Sequence, residues 1–400
     1  MQTDAKSTRP SGARAFRVRT LTAGIPVRSF ADRGAVESTA DFVVDAKRTF
    51  EAHGYEVQTV RIAINPLLVG STPRARAKAL PELIALDELV AARHAMISIG
   101  PVFSAGDSDE TIGQWARELV GRTRVMNFSG AVASLRHGVH REAVSTAGRI
   151  MAALSDATKD GAANFRFAAA ACVSPGTPFF PAGYHEGSPS LAVGLESANL
   201  VRQAFTGITE PAKASEQLRA LLNAEFAPVD LLARGLAQQG QRRYLGIDSS
   251  PAPGRDSSIG EALETLTGSA VGGASTLQAC AAVTAAIKSL TVMTCGYSGL
   301  MLPVLEDPTL AARAAEGRLG VAKLLLYSSV CGTGLDVVPL PGDASAADLA
   351  RIIGDVATLA VRLRKPLSAR LFPVPGKRVG DSISFSDPLL TASRVLALDS

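Results

Sequence analysis

Val18-Arg19-Thr20-Leu21-Thr22-Ala23-Gly24-Ile25 and Val57-Gln58-Thr59-Val60-Arg61-Ile62-Ala63-Ile64 are short runs rich in β-branched and apolar residues, which reads as strand. Between them, residues 37–51 put Ala40, Val43, Val44 and Phe50 at helical spacing on one face. A strand, a helix and a second strand in this order form a crossover unit and favour parallel sheet. The alternation continues outward. Strands are expected at residues 95–99, 124–128, 165–173, 244–247, 323–327 and 370–374. Helices are expected at 79–92, 111–120, 141–157, 214–239 and 346–363. About ten such units fit the chain, with no linker after residue 16. The fold class is therefore α/β, as one large unit over residues 16–400. Periodicity does not choose between a closed barrel and a wide open sheet. Residues 1–15, rich in Ser, Thr, Pro, Gly and Arg, are expected to be a disordered tail.

The chain has 400 residues, beyond the ~250–300 at which single cores usually stop growing. Its 46% hydrophobic and 20% charged residues exclude a disordered or coiled-coil chain. The formal net charge is +4, and Lys6, Arg9, Arg14, Arg17 and Arg19 against Asp4 account for it. The rest of the chain is neutral, and basic residues do not interleave densely with aromatics, so nucleic acid is not an expected partner. Cys172, Cys280, Cys295 and Cys331 include no C-x-x-C pair, which argues against a disulfide scaffold or a cysteine-rich zinc site. No apolar run is long enough to span a membrane, and no apolar stretch follows the basic N-terminus. A cytoplasmic location is the expectation. A homodimer is expected because symmetric dimers are common.

Several standard sites fail on inspection. Gly332-Thr333-Gly334 opens like a dinucleotide fingerprint, but Val337 stands where the third glycine should be, so no nicotinamide or flavin motif is present. Gly376-Lys377 is preceded by Leu371 rather than the first glycine of a phosphate-binding loop. His137 and His140 lie beside Arg136 and Arg141 and read as a solvated basic face.

Three Gly/Pro-dense segments stand apart as expected loops. In residues 172–187, Phe179, Phe180 and Tyr184 could line a ligand and His185 could act as acid, base or metal ligand, or the aromatics could simply cap a core. In residues 330–343, Asp336 and Asp343 could converge on Mg²⁺ or Ca²⁺, although Asp343 could equally cap the next helix. Asp336, set among apolar residues, needs a partner of some kind. Cys331 could be a nucleophile or a buried core thiol. In residues 370–381, Arg370 and Lys377 fit a phosphate or carboxylate, or a solvated turn. Glu306, Asp307 and Asp248 are further carboxylates at the ends of apolar runs.

These segments together resemble the uncharacterised family named domain of unknown function 711. The resemblance is carried by Cys331-Gly332-Thr333-Gly334-Leu335-Asp336, by Pro373-Val374-Pro375-Gly376-Lys377 with Gly380-Asp381, by Thr177-Pro178-Phe179 with Gly183-Tyr184-His185, by Gly246-Ile247-Asp248, by residues 302–307, and by the opening run from Val18. It runs from about residue 17 to 390. It implies a ten-stranded α/β barrel similar to pyruvate formate-lyase and ribonucleotide reductase, with loops entering the centre. No glycyl radical is expected, because Pro388-Leu389-Leu390-Thr391 stands where the radical-glycine string would be, and Cys295-Gly296-Tyr297 lies too early. The chain departs from the family at Val173-Ser174-Pro175-Gly176, which is short and lacks an Asn-Ala-Pro-Glu-Asp type of loop.

The expected function is a metal-assisted enzyme acting on a small anionic metabolite, of lyase, transferase or isomerase type. Glu306, Asp307, Asp336 and Asp343 would hold the divalent cation. Arg19, Arg370 and Lys377, with Asp248 and the three aromatics, would hold the substrate. His185, Cys331 and Asp336 would be catalytic. The alternatives are a metal-free catalyst using Cys331 and His185, and a non-catalytic small-molecule sensor.

Overall fold

The computed structural model describes residues 14–254 and 256–398. The tail expected at 1–15 thus lies outside the described residues except for Arg14 and Ala15. In chain order the elements are β1 (Arg17–Ile25), α1 (Arg33–Ala52), β2 (Val57–Ile64), α2 (Pro73–Ala91), β3 (Met96–Pro101), α3 (Ile112–Arg122), β4 (Met126–Ser134), β5 (Gly138–Val139), α4 (Arg141–Ser155) and β6 (Phe167–Ala171). They continue with β7 (Ser190–Glu196), α5 (Ala198–Phe205), α6 (Pro211–Gln239), β8 (Arg243–Asp248), α7 (Ile259–Thr267), α8 (Thr276–Lys288), α9 (Pro308–Ala315), α10 (Val321–Ser328), β9 (Gly334–Pro341), α11 (Ala346–Leu363) and β10 (Leu367–Val374). A small antiparallel pair, β11 (Ser382–Ile383) and β12 (Ser393–Arg394), follows.

Ten strands form one sheet in the order β8-β7-β1-β2-β3-β4-β6-β10-β9, with β5 paired to β4. Strands β1, β2, β3, β4 and β6 are mutually parallel. The pairs β7/β8 and β10/β9 flank this block and run the other way. The segment between α8 and α9 touches both edge strands. Ile247 N donates to Met293 O at 2.8 Å, and Val304 N donates to Asp336 O at 3.1 Å.

Helices pack on the sheet through apolar stripes. In α1 the buried residues Val36, Thr39, Ala40, Val43, Ala46 and Phe50 recur at three- and four-residue steps. In α11 a reciprocal Ser345–Asp348 cap starts the helix. On β6, Ala168 and Ala170 pack against Ala182 of the loop after the strand. Their small side chains leave room for that loop to lie against the sheet. No helix among the described residues is long and apolar enough to cross a membrane.

Two expected elements differ. Residues 323–327 are helix, not strand: Val321, Leu324, Tyr327 and Ser328 are the buried residues of α10, and a short apolar run does not fix its own period. Residues 334–341, read as part of a loop because of Pro339 and Pro341, are strand β9. Proline is tolerated there because β9 is the last strand in the sheet order. Strand β7, which joins β8 to β1, lies in a stretch where no strand was expected.

Candidate functional site

A bulge builds the centre of the site. Leu335 pairs with Ala369 and Val338 with Leu371, so Asp336 and Val337 together oppose Arg370. Val337 has φ of 44°, a costly conformation for a β-branched residue. Asp336 Oδ1 accepts a short hydrogen bond from Arg370 Nε. Arg370 Nη2 donates to Glu306 Oε1 at 2.7 Å. Arg19 of β1 donates through Nη2 to the other oxygen of Glu306, and through Nη1 to Pro253 O at 3.0 Å. The Arg370 guanidinium carbon lies 4.9 Å from the centre of the Phe165 ring and 5.1 Å from that of Phe179. Phe179 in turn stands edge-on to Tyr297 at 5.1 Å.

Burial and charge push the two carboxyls in opposite directions. Burial raises Asp336, outweighing the pull of Arg370. Burial also works against Glu306, but Arg19 and Arg370 prevail and hold it below the usual carboxylate range. Asp336 Oδ2 is buried with no hydrogen-bond partner.

Arg61 of β2 is the residue that the sequence reading passed over. Its Nη1 donates to Pro178 O at 3.0 Å, and its guanidinium lies 5.1 Å from the Phe180 ring centre. Its Nε is buried without a partner, and among the described residues no carboxylate pairs with it. Burial, with the like charges of Arg19 and Arg370, pushes its pKa down to about 9 although Glu306 partly offsets them. The one signal in the sequence was a lone charged residue, Arg61, among the apolar residues Val60, Ile62, Ala63 and Ile64 of the strand.

Arg19 and Arg61 both face a cavity of about 470 Å³, whose ionic wall also includes Arg17, Glu196 and Glu306. Glu196 is committed: it accepts from Arg17 at 3.1 Å, from Ser257 at 3.2 Å and from Gln58. Arg17 also grips Asp256 through two contacts of 2.8 Å. A small inner space of about 30 Å³, large enough for a water molecule, lies beyond Arg19 and Arg61 beside Asp248 and Phe179.

Arg19, Arg370, Glu306, Asp336, Phe179 and Phe180 thus converge, and Asp248 lies at the inner space. Asp248 accepts from Ser250 N and Oγ at 3.1 and 2.6 Å, and from Tyr297 N and Ser298 N at 3.0 Å each, which makes it a loop organiser. The other expected site residues lie apart. Asp307 accepts five hydrogen bonds, from Ser258 Oγ, Ile259 N, Gly260 N, Thr309 N and Leu310 N, and so joins the starts of α7 and α9. Asp343 and Lys377 are exposed in turns after β9 and β10. Ser345, rather than Asp343, caps α11. Cys331 is buried, and burial raises its thiol pKa, so it is not held as a thiolate. His185 is buried over Gly24, with Nε2 3.0 Å from Gly187 O and Nδ1 3.3 Å from Ser190 Oγ. Gly24 lies five residues along β1 from Arg19, about 16 Å at strand rise. Tyr184 donates to Val173 O at 3.2 Å and packs on Gly100.

The four expected ligands do not fit a divalent cation. Glu306 and Asp336 face arginines, Asp307 is saturated by donors, and Asp343 is exposed in the turn after β9. Among the described residues no three His, Cys, Asp or Glu side chains gather as a metal site requires. What the cavity offers is spare donor capacity, and that suits an anion.

Comparison with known proteins supplies kinship. The chain is similar to a UPF0210 protein of Pyrobaculum arsenaticum, 34% identical over 354 residues, covering 84% of this chain and 78% of the relative. It is also similar to one from Pyrobaculum aerophilum, 33% identical, covering 82% and 76% of the two chains. A third, from Bifidobacterium longum subsp. infantis, is 26% identical, covering 92% and 88%. Residues 12–386 match the family described as Uncharacterised ACR (DUF711), and the chain belongs to that family.

Proposed function

We propose that this chain is a small-molecule enzyme whose centre takes an anionic metabolite bearing a phosphate, diphosphate or carboxylate. One observation carries the reading: Arg61 is a cation without a counter-charge, with a buried and unpartnered Nε, beside a cavity of about 470 Å³. Arg61 is half-buried, a partly desolvated charge without a counter-ion is costly, and an anion between Arg61 and Arg19 would offset that cost. The volume lies within the range of small-molecule sites. In this reading Glu306 holds Arg19 and Arg370 in place, Asp336 fixes Arg370 from behind, and the cationic groups stabilise negative charge that develops on the substrate. Lyase, transferase and isomerase chemistry all use such stabilisation.

The same proposal includes closure of the sheet into a barrel. Five parallel strands flanked by two opposed pairs leave one gap, between β8 and β9. The stretch from Met293 to Val304 makes parallel bridges at Ile247–Thr294 and Pro303–Asp336, one on each side of that gap. An irregular tenth stave there would place Glu306 next to Asp336.

The test is a thermal-shift series with inorganic phosphate, diphosphate and malonate. Saturating ligand at a hundred times Kd should add about 2.7 kcal/mol of stability. Wild type is expected to be stabilised by at least one of these anions and Arg61→Met by none. Equal shifts in both proteins would remove the proposal. An enzyme, unlike a sensor, must also release product from the natural substrate.

A further inference from the structure

The floor of the cavity is ionic, and its mouth carries the exposed Glu56 and Asp256 on one part and an apolar stretch on another. Pro253, Pro388 and Leu389 line it together with the charged groups. Leu389 is 53% exposed. A single exposed leucine has no meaning by itself. This one is held outward by a fixed backbone. Its neighbour Leu390 is buried in a small core with Leu305, Phe372 and Val374. Thr391 N donates to Leu305 O at 2.6 Å, one residue before Glu306. Leu389 N donates to Asp387 Oδ1 at 2.9 Å, and Ser386 is tied to Asp160 through N and Oγ at 3.1 and 3.0 Å. The strap therefore fixes an apolar side chain at the rim of a site whose floor binds charge. Phosphate alone would leave most of the volume and all of that apolar rim unused.

We infer that the occupant is an amphiphilic anion: its charged head sits on Arg61 and Arg19, and a hydrocarbon portion leaves along Pro388 and Leu389. This rests on the anion reading above and adds the substrate class. Apolar surface buried against a half-open wall should strengthen binding by about twofold per methylene, below the ~0.8 kcal/mol of full burial. Specificity would then come from the strap, and the floor would serve any small anion.

Calorimetric titration of the full chain with inorganic phosphate, ethyl phosphate and butyl phosphate tests this. Affinity is expected to rise about tenfold or more from inorganic to butyl phosphate. Leu389→Ser should cut that ratio about fivefold, while Leu231→Ser, which changes an exposed leucine on α6, should leave it as in wild type. Measuring the ratio makes the result independent of overall loss of affinity. Butyl phosphate binding no tighter than inorganic phosphate overturns the inference and leaves the anion reading standing. So does a wild-type ratio in Leu389→Ser. No binding by any of the three removes both.

Discussion

Arg370 and Glu306, 64 residues apart, meet through Nη2 and Oε1 at 2.7 Å with side chains only 4% and 5% exposed. Glu306 then has its second oxygen taken by Arg19. A buried pair of this kind adds little net stability, because desolvation offsets the attraction. Its consequence is positional: two arginines from different parts of the sheet are locked around one carboxylate, and Arg61 is left over.

Arg61 should therefore trade stability for binding. Arg61→Met removes an unpaired, half-buried charge and keeps most of the volume. Unfolding by urea should show the variant more stable than wild type by about 1–2 kcal/mol. The pH dependence of wild type follows from the same cause. Its guanidinium pKa is about 9, so anion affinity should hold below pH 9 and fall as pH rises through that value. The unfolded group stays protonated to a much higher pH, so the cost to stability is complete below pH 9 and is relieved progressively as pH rises above it. Constant anion affinity from pH 8 to 10.5 would contradict this.

Asp307 should matter for folding and not for binding. Its five hydrogen bonds anchor the starts of α7 and α9. Asp307→Ala is expected to lower stability by about 2–4 kcal/mol, the loss of a shared cap plus buried amides left without an acceptor. The variant that remains folded should bind anions with wild-type affinity. A tenfold loss would return Asp307 to the site.

His185 should act as a stability group in mild acid. Burial lowers its pKa, outweighing the hydrogen bond to Gly187. The unfolded imidazole then binds a proton at a higher pH than the folded one. Its contribution to stability is complete above the unfolded value of about 6.5 and is lost as pH falls toward the lower folded value. Urea midpoints of wild type and His185→Asn should converge between pH 7.5 and 5. Parallel curves would show that the imidazole titrates normally.

The fold was legible where periodicity was long and the site was not. The 57–64 strand agrees with β2 in both bounds and the 346–363 helix with α11, because an eight-residue run and an eighteen-residue apolar stripe each leave one period. Residues 323–327 misled because four apolar residues in a row after Lys323 fit either period. Residues 334–341 misled because two prolines look like loop until the strand is known to lie at the end of the sheet order. Within the site, Asp336 was found from a charge at odds with apolar neighbours, Glu306 from its place at the end of an apolar run, Arg370 from a Gly/Pro-dense segment after a strand, and Arg19 as a cation for an anionic substrate. Arg61 showed the same feature as Asp336, but its missing partner can be seen only when four elements are brought together. Lys377 and Asp343 were chosen for charge in Gly/Pro-dense segments and Asp307 for its place at the end of an apolar run, and turns and caps produce those patterns as readily as sites do.

The most direct measurement is an anomalous-difference map from crystals of the full chain soaked in selenate, a heavy analogue of the tetrahedral anions. The expected result is one strong peak within hydrogen-bond distance of the Arg61 guanidinium, on the side facing Arg19. Full occupancy elsewhere, with nothing near Arg61, would contradict the assignment of this cavity as the anion site.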